Sequence, residues 1–246
     1  MSFKVVIPAR YASARLPGKP LLEIAGKAMV IRVAEQANKS GADKVVIATD
    51  FEKIMQVAKA NNVEAVLTRV DHASGTDRIA EVAQTLNWDD DDIVVNVQGD
   101  EPLIDPYLIQ EVALTLSHSR NAVMATACHA IHDEASMLNP NVVKVVMDVD
   151  GNALYFSRSP IPYPRDDVYK QNIKAHRHIG IYAYRVGFLK QYAELSVTEL
   201  EKIESLEQLR VLHHGYKIAV TITDNAPASG VDTQEDLDYV RSIFST

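Results

Sequence analysis

Residues 8–20 read PARYASARLPGKP, and three cations, Arg10, Arg15 and Lys19, stand in this small-residue stretch broken by Pro17, Gly18 and Pro20. No Asp or Glu occurs from Met1 to Leu22, although the whole chain carries a formal net charge of −8. A positive loop in an acidic body is suited to a compact anion. Two guanidinium forks can pair with phosphate oxygens, an ammonium adds a mobile point charge, and backbone N–H groups near Ser13–Ala14 can form a nest. The loop is too glycine-poor for a dinucleotide fingerprint and lacks the Gly-Lys-Ser/Thr ending of a P-loop, so side chains must carry most of the binding. The alternative is a solvated surface loop with scattered charges.

A second group of residues gives that anion a counterpart. In VNVQGDEPLI (95–104) an apolar strand ends at Asp100. A carboxylate facing a polyphosphate repels it unless a cation lies between them, which predicts magnesium held by one or two carboxylates and phosphate oxygens. Asp232, between the last strand and the terminal helix, is the candidate for the second carboxylate; helix capping is its alternative. Glu101 can pair with a nearby basic side chain. Cys128, the only cysteine, lies in the apolar run MATAC and reads as core. WDDDD (88–92) reads as a solvated turn.

These residues need a scaffold, and the pattern supplies one. FKVVIP reads as a buried strand and MVIRVAEQANKSG as a helix ended by Gly41. DKVVIATD, FEKIMQVAKANN, EAVLT, TDRIAEVAQTL and DDIVVNVQGD continue the alternation, and Asp105-Pro106 can cap the helix DPYLIQEVALTL. AVMATACHA is a further strand. Alternation of this kind predicts an α/β fold with a mostly parallel sheet flanked by helices, ligands gathering at the carboxyl ends of the strands. From about residue 140 to 186 the pattern becomes β-rich: a hairpin at Asp150-Gly151, a proline-broken loop, and the strand HIGIYAYR. TELEKIESLEQLRVLHHG then reads as one helix, KIAVTIT as the last strand, and DTQEDLDYVRSIF as a terminal helix with capping-box spacing at Thr233 and Asp236. One domain over 1–246 with an inserted β-rich subregion is expected.

Composition narrows the function. Apolar residues at 47% and charged residues at 24% fit a globular protein with a sizeable core. The acidic balance argues against a nucleic-acid partner, and no apolar run is long enough for membrane insertion. MSFKVVIPAR runs into a strand with no cleavage pattern, and a single cysteine suits a reducing compartment, so a cytoplasmic setting is expected.

IPARYASARLPGKPL resembles the nucleotide-binding loop of the sugar-activating cytidylyltransferases. HASGTDRIAEV, VNVQGDEPLI, ALYFSRSPIPY, RHIGIYAYR, LEQLRVL and GVDTQEDL follow in order along nearly the whole chain. The resemblance is to the 3-deoxy-manno-octulosonate (Kdo) cytidylyltransferase family. It implies a Rossmann-like nucleotidyltransferase sheet whose β-rich insertion serves dimerisation and sugar binding. The implied reaction is CMP transfer from CTP to the anomeric hydroxyl of Kdo, giving CMP-Kdo and pyrophosphate for lipopolysaccharide synthesis.

The resemblance also implies roles. Lys19, Arg15, Asp100 and Asp232 would be catalytic, with Asp100 and Asp232 holding Mg2+. Ala9, Arg10, Ser13, Arg15, Lys19, Ser74, Arg78, Gln98 and Asp100 would bind the nucleotide; for Arg78 a helix-surface salt bridge is the alternative. Arg158, Arg165, His178, Tyr182, Glu207 and Gln208 would bind the sugar, although His178 could equally be a satisfied structural histidine. Partners would be CTP, Kdo and a second copy of the chain in a homodimer. The nearest alternative substrates are 8-amino-Kdo and a sialic-acid-like sugar. A glycosyltransferase or a non-catalytic nucleotide sensor are the alternatives of other kinds.

Overall fold

The computed structural model describes residues 2–12, 16–72, 74–166, 174–224, 226–228 and 230–245. In chain order the elements are β1 (Lys4–Ala9), a 3-10 turn (Lys19–Leu21), β2 (Glu23–Ile24), β3 (Lys27–Ala28), α1 (Met29–Lys39), β4 (Lys44–Thr49), α2 (Glu52–Ala60), β5 (Glu64–Leu67), α3 (Gly75–Thr85), β6 (Ile93–Asn96) and α4 (Pro106–His118). They continue with β7 (Ala122–Ala130), α5 (Glu134–Leu138), β8 (Lys144–Met147), β9 (Ala153–Ser157), β10 (His176–Arg185), α6 (Val186–Tyr192), α7 (Glu199–Glu204), α8 (Gln208–His213), β11 (Lys217–Ile222) and α9 (Gln234–Phe244).

One mixed sheet runs β11-β7-β10-β6-β1-β4-β5. β1 pairs in parallel with β4 on one side and β6 on the other, so the chain winds outward to β5 and then returns across β1 to β6. That reversal is a topological switch point, where the loops leaving two neighbouring strands diverge and open a crevice. The loops are residues 10–18, after β1, and 97–105, after β6. β10 enters antiparallel between β6 and β7, and the β8–β9 hairpin branches from its start.

Both faces of the sheet are covered, which explains why the strands are nearly all apolar. Val5, Ile7, Val95 and Val97 face the side packed by α1 and α4, where Ile31, Ile109 and Leu116 lie. Val6 and Val94 face the side packed by α3 and α6, with Ile79, Phe188 and Tyr184. Cys128 is fully buried there, and burial pushes its thiol up to about 12, as its core placement requires. A small third cluster of Ile24, Met29, Val231, Leu237 and Val240 seats α9 against the β2–β3 hairpin.

Local signals read from the sequence hold at the helix ends. Asp105 accepts from the Tyr107 N–H with Pro106 in the first turn, and Thr233 and Asp236 form a reciprocal capping box. The expected single helix over 198–215 is instead α7 and α8. Ser205 adopts a left-handed conformation with φ 51°, and the Leu206 N–H bonds back to the Glu201 carbonyl. No Gly or Pro marks this break. It turns α8 so that Gln208 points inward. Short helices α5 and α6 add to the elements expected from the sequence.

Candidate active site

Lys19 enters the crevice from the 3-10 turn that ends the basic loop. Its Nζ donates to Asp100 Oδ2 at 2.5 Å, to Asp232 Oδ1 at 3.0 Å and to the Val231 carbonyl at 2.7 Å. The lysine side chain is 13% exposed, and the carboxylates remain partly open to solvent. Burial pulls the ammonium pKa down, but hydrogen bonds and charge from Asp100 and then Asp232 outweigh it, leaving Lys19 raised above its ordinary value. The stability from this pairing is therefore complete below the unfolded lysine value and is lost only as pH rises through the folded one.

Three local devices bring these groups together. Gly18 sits at φ +67°, a left-handed turn that starts the 3-10 turn under Lys19. Behind Asp100, a Cβ on Gly99 would stand 2.7 Å from the Pro8 carbonyl, so only glycine lets the 97–105 loop pass this close to the end of β1. Val231, fully buried, donates its N–H to the Asp100 carbonyl at 2.8 Å, and Asp236 Oδ2 accepts from the Asp232 N–H at 2.9 Å. Asp232 is thus fixed by its neighbour in α9 while its carboxylate accepts from Lys19.

The rest of the basic loop leans on the same wall. Tyr11 stacks on Phe51 with ring centroids 4.1 Å apart, and Arg10 donates to the His72 carbonyl at 3.1 Å while staying exposed. Ala9 is buried at the end of β1. Ser13 and Arg15 lie outside the described residues. Ser74 caps α3 through a capping box with Asp77. Arg78 is fully buried, and its guanidinium pairs with Asp50 at 2.9 Å and with Thr68 Oγ1, tying α3 to the ends of β4 and β5. In that position it braces the wall behind the crevice, unlike the surface salt bridge considered from sequence.

A cavity of about 340 Å3 opens at the end of β6, between β10 and the start of α8. Gln98, Tyr182, Glu207 and Gln208 all line it, which brings nucleotide-side and sugar-side candidates into one space. Burial raises the hydroxyls of Tyr182, Tyr184 and Tyr192, so these tyrosines stay protonated and able to donate. The His178 ring lies tilted against Tyr182, with ring centroids 5.4 Å apart. Its Nε2 is 2.9 Å from Thr126 Oγ1, which also lies 2.7 Å from the Ile181 carbonyl and 3.0 Å from that of Ile179. Carbonyls only accept, so the Thr126 proton goes to them and Oγ1 accepts from His178 Nε2–H. Burial lowers His178 to about 3, so it remains a neutral imidazole with its other nitrogen as acceptor.

The remaining sugar-side candidates stand apart. Arg158 donates to the Glu204 carbonyl at 2.6 Å and the Pro140 carbonyl at 2.9 Å, joining the hairpin to the end of α7. Arg165 is 94% exposed in the loop beyond β9. Thr76, Asn96, Tyr184 and Tyr192 line the cavity and were not found from sequence. Asn96 was the detectable one, being a polar residue in the otherwise apolar strand IVVN. A larger groove of about 1090 Å3 runs between α3 and α6, lined by His72, Glu81 and Lys190 among others. It contains none of Lys19, Asp100 and Asp232.

Known proteins share this fold. The sequence profile of the cytidylyltransferase family matches residues 4–218. The chain is 58% identical to the 3-deoxy-manno-octulosonate cytidylyltransferase of Neisseria gonorrhoeae (strain NCCP11945), over 99% of this chain and 98% of that one. The enzyme of the same name from Neisseria meningitidis serogroup A is also 58% identical with the same coverage. A solved structure of CMP:2-keto-3-deoxy-manno-octonic acid synthetase complexed with CTP superposes with a TM-score of 0.91 at 42% identity, covering 99% of this chain and 98% of the other. A cytidylyltransferase from Leptospira borgpetersenii shares the fold at a TM-score of 0.63 and 18% identity.

Proposed function

The chain belongs to the 3-deoxy-manno-octulosonate cytidylyltransferase family, and on that footing we infer that it transfers CMP from CTP to the anomeric hydroxyl of Kdo. The products are CMP-Kdo and pyrophosphate, CMP-Kdo being the activated sugar of lipopolysaccharide synthesis. The observation that carries the reading is one ammonium, Lys19 Nζ, shared by Asp100 and Asp232 at a strand-end switch point.

The anomeric hydroxyl attacks the α-phosphorus in line and pyrophosphate leaves. No covalent enzyme intermediate is needed, so catalysis rests on positioning and charge neutralisation. All three N–H donors of Lys19 are engaged by Asp100, Asp232 and the Val231 carbonyl. Contact with a phosphate therefore requires Lys19 to release at least one of them. Two carboxylates close enough to share one ammonium suit one small divalent cation, and among the described residues no group of three His, Cys, Asp or Glu is placed to bind a metal. Asp100 and Asp232 would hold Mg2+, which would supply phosphate charge neutralisation and acidify the attacking hydroxyl. Arg10 and Arg15 would add cationic contacts to the nucleotide. The cavity beside Gln98 would receive the sugar.

The assembly is a two-fold homodimer through the β-rich insertion. Exposed apolar side chains at Leu154 on β9 and Ile222 on the edge strand β11 support this. The location is cytoplasmic; among the described residues no helix is long and apolar enough to cross a membrane.

Pyrophosphate release tests the function. With CTP, ATP, GTP and UTP each offered against Kdo, 8-amino-Kdo and a sialic acid, release should need CTP and be fastest with Kdo. Consumption of a nucleotide sugar without pyrophosphate, or CTP binding without turnover on any acid sugar, would contradict it.

A further inference from the structure

Asn96 ends β6, a strand whose four residues are all buried. Side-chain alternation puts it on the face of Val94, which packs with Val6, Val46 and Tyr184. An amide in such a layer needs partners at both ends. The Tyr184 hydroxyl, 3.5 Å from Thr76 Oγ1, shares a side-chain hydrogen bond with Asn96 that lowers its pKa, so the Asn96 N–H donates to it. Asn96 Oδ1 nevertheless has no hydrogen-bond partner and is buried.

A complementary atom faces the same space. Gln208, set at the start of α8 by the break at Ser205, lines the same cavity, and its Nε2 is also buried without a partner. Each of these side chains is 5% exposed. Among the described residues the only other buried side-chain polar atom without a partner is Arg78 Nε, in the Asp50 pair. Orphaned polar atoms are thus concentrated at one cavity, as one acceptor and one donor.

We propose that Asn96 is a specificity-determining residue of the sugar cavity, its Oδ1 accepting a hydrogen bond from a substrate hydroxyl while Gln208 Nε2 donates to an oxygen of the same polyol. A hydroxyl both donates and accepts, so neighbouring hydroxyls satisfy both atoms. A carboxylate has no proton for Oδ1 and is repelled by it. The hydroxylated arm of the sugar acid therefore enters at Asn96, and its carboxylate lies elsewhere. This deepens the Kdo-transfer reading and rests on it.

The test compares Asn96→Leu with wild type on Kdo and on analogues each lacking one hydroxyl. Loss of one buried hydrogen bond should raise the sugar KM about tenfold. The KM for CTP should stay within about twofold, and the thermal midpoint should fall by no more than loss of the one Asn96–Tyr184 hydrogen bond accounts for, because Oδ1 had no protein partner. Wild type should lose about tenfold against one of the deoxy analogues, and N96L should no longer distinguish that analogue from Kdo. An unchanged sugar KM, a deoxy penalty that persists in N96L, or a joint loss of CTP and sugar binding with a lowered midpoint would each overturn the proposal. Asn96→Ser, which shortens the side chain beyond reach, takes the same measurements if N96L does not fold. Failure of the Kdo-transfer reading would appear separately, as absent pyrophosphate release by the wild type.

Discussion

Lys19→Ala lowers turnover on the order of 10²–10³-fold with CTP saturating, the range found when one preorganised donor to developing charge is removed. Two effects act together. On the proposed reading the leaving pyrophosphate loses the Lys19 cation, and Asp100 and Asp232 lose the ammonium that they share. Each charge-assisted bond at this lysine contributes roughly 1.5–3 kcal/mol, so the ligand-free carboxylates should also spread apart in the variant. Steady-state kinetics at saturating CTP and Kdo check the first effect. Near-wild-type turnover would remove Lys19 from the chemistry and reduce the three-residue contact to a structural tie.

Asp100→Asn is expected to have the next largest effect, a loss on the order of 100-fold at the magnesium concentration that half-saturates wild type. The substitution keeps shape and size but withdraws one of two negative charges from the site. Part of the lost rate should return as magnesium is raised, with the half-saturation point moved upward, because the surviving Asp232 carboxylate still attracts the ion. Activity measured against magnesium concentration separates this from a folding defect, which added metal would not relieve. An unchanged half-saturation point would mean that Asp100 does not bind the cation.

Much of this site was legible because it depends on local pattern. A strand that ends in a basic loop, a second that ends in Gly-Asp, and the strand–helix alternation between them place Lys19 and Asp100 in one crevice once the parallel order is known. The capping signals at Asp105 and Thr233 were equally local. Contacts set by distant residues were not legible. Arg78 reads as a helix-surface residue until folding brings Asp50 and Thr68 against it. The antiparallel direction of β10 is invisible in HIGIYAYR, since alternation is the same in either direction. The turn at Ser205 carries no Gly or Pro, yet it sets Gln208 at the cavity beside Gln98. The grouping of the candidate sugar-side residues was therefore less accessible to sequence reasoning than that of Lys19 and Asp100.

The most direct measurement is a crystal structure of the protein with Mg2+ and a non-hydrolysable CTP analogue. The predicted result is a triphosphate lying between the basic loop and Asp100, with Lys19 turned onto phosphate oxygen and both Asp100 and Asp232 on the metal. A nucleotide seated in another place, such as the groove between α3 and α6, with Lys19 still bridging the two aspartates, would contradict it.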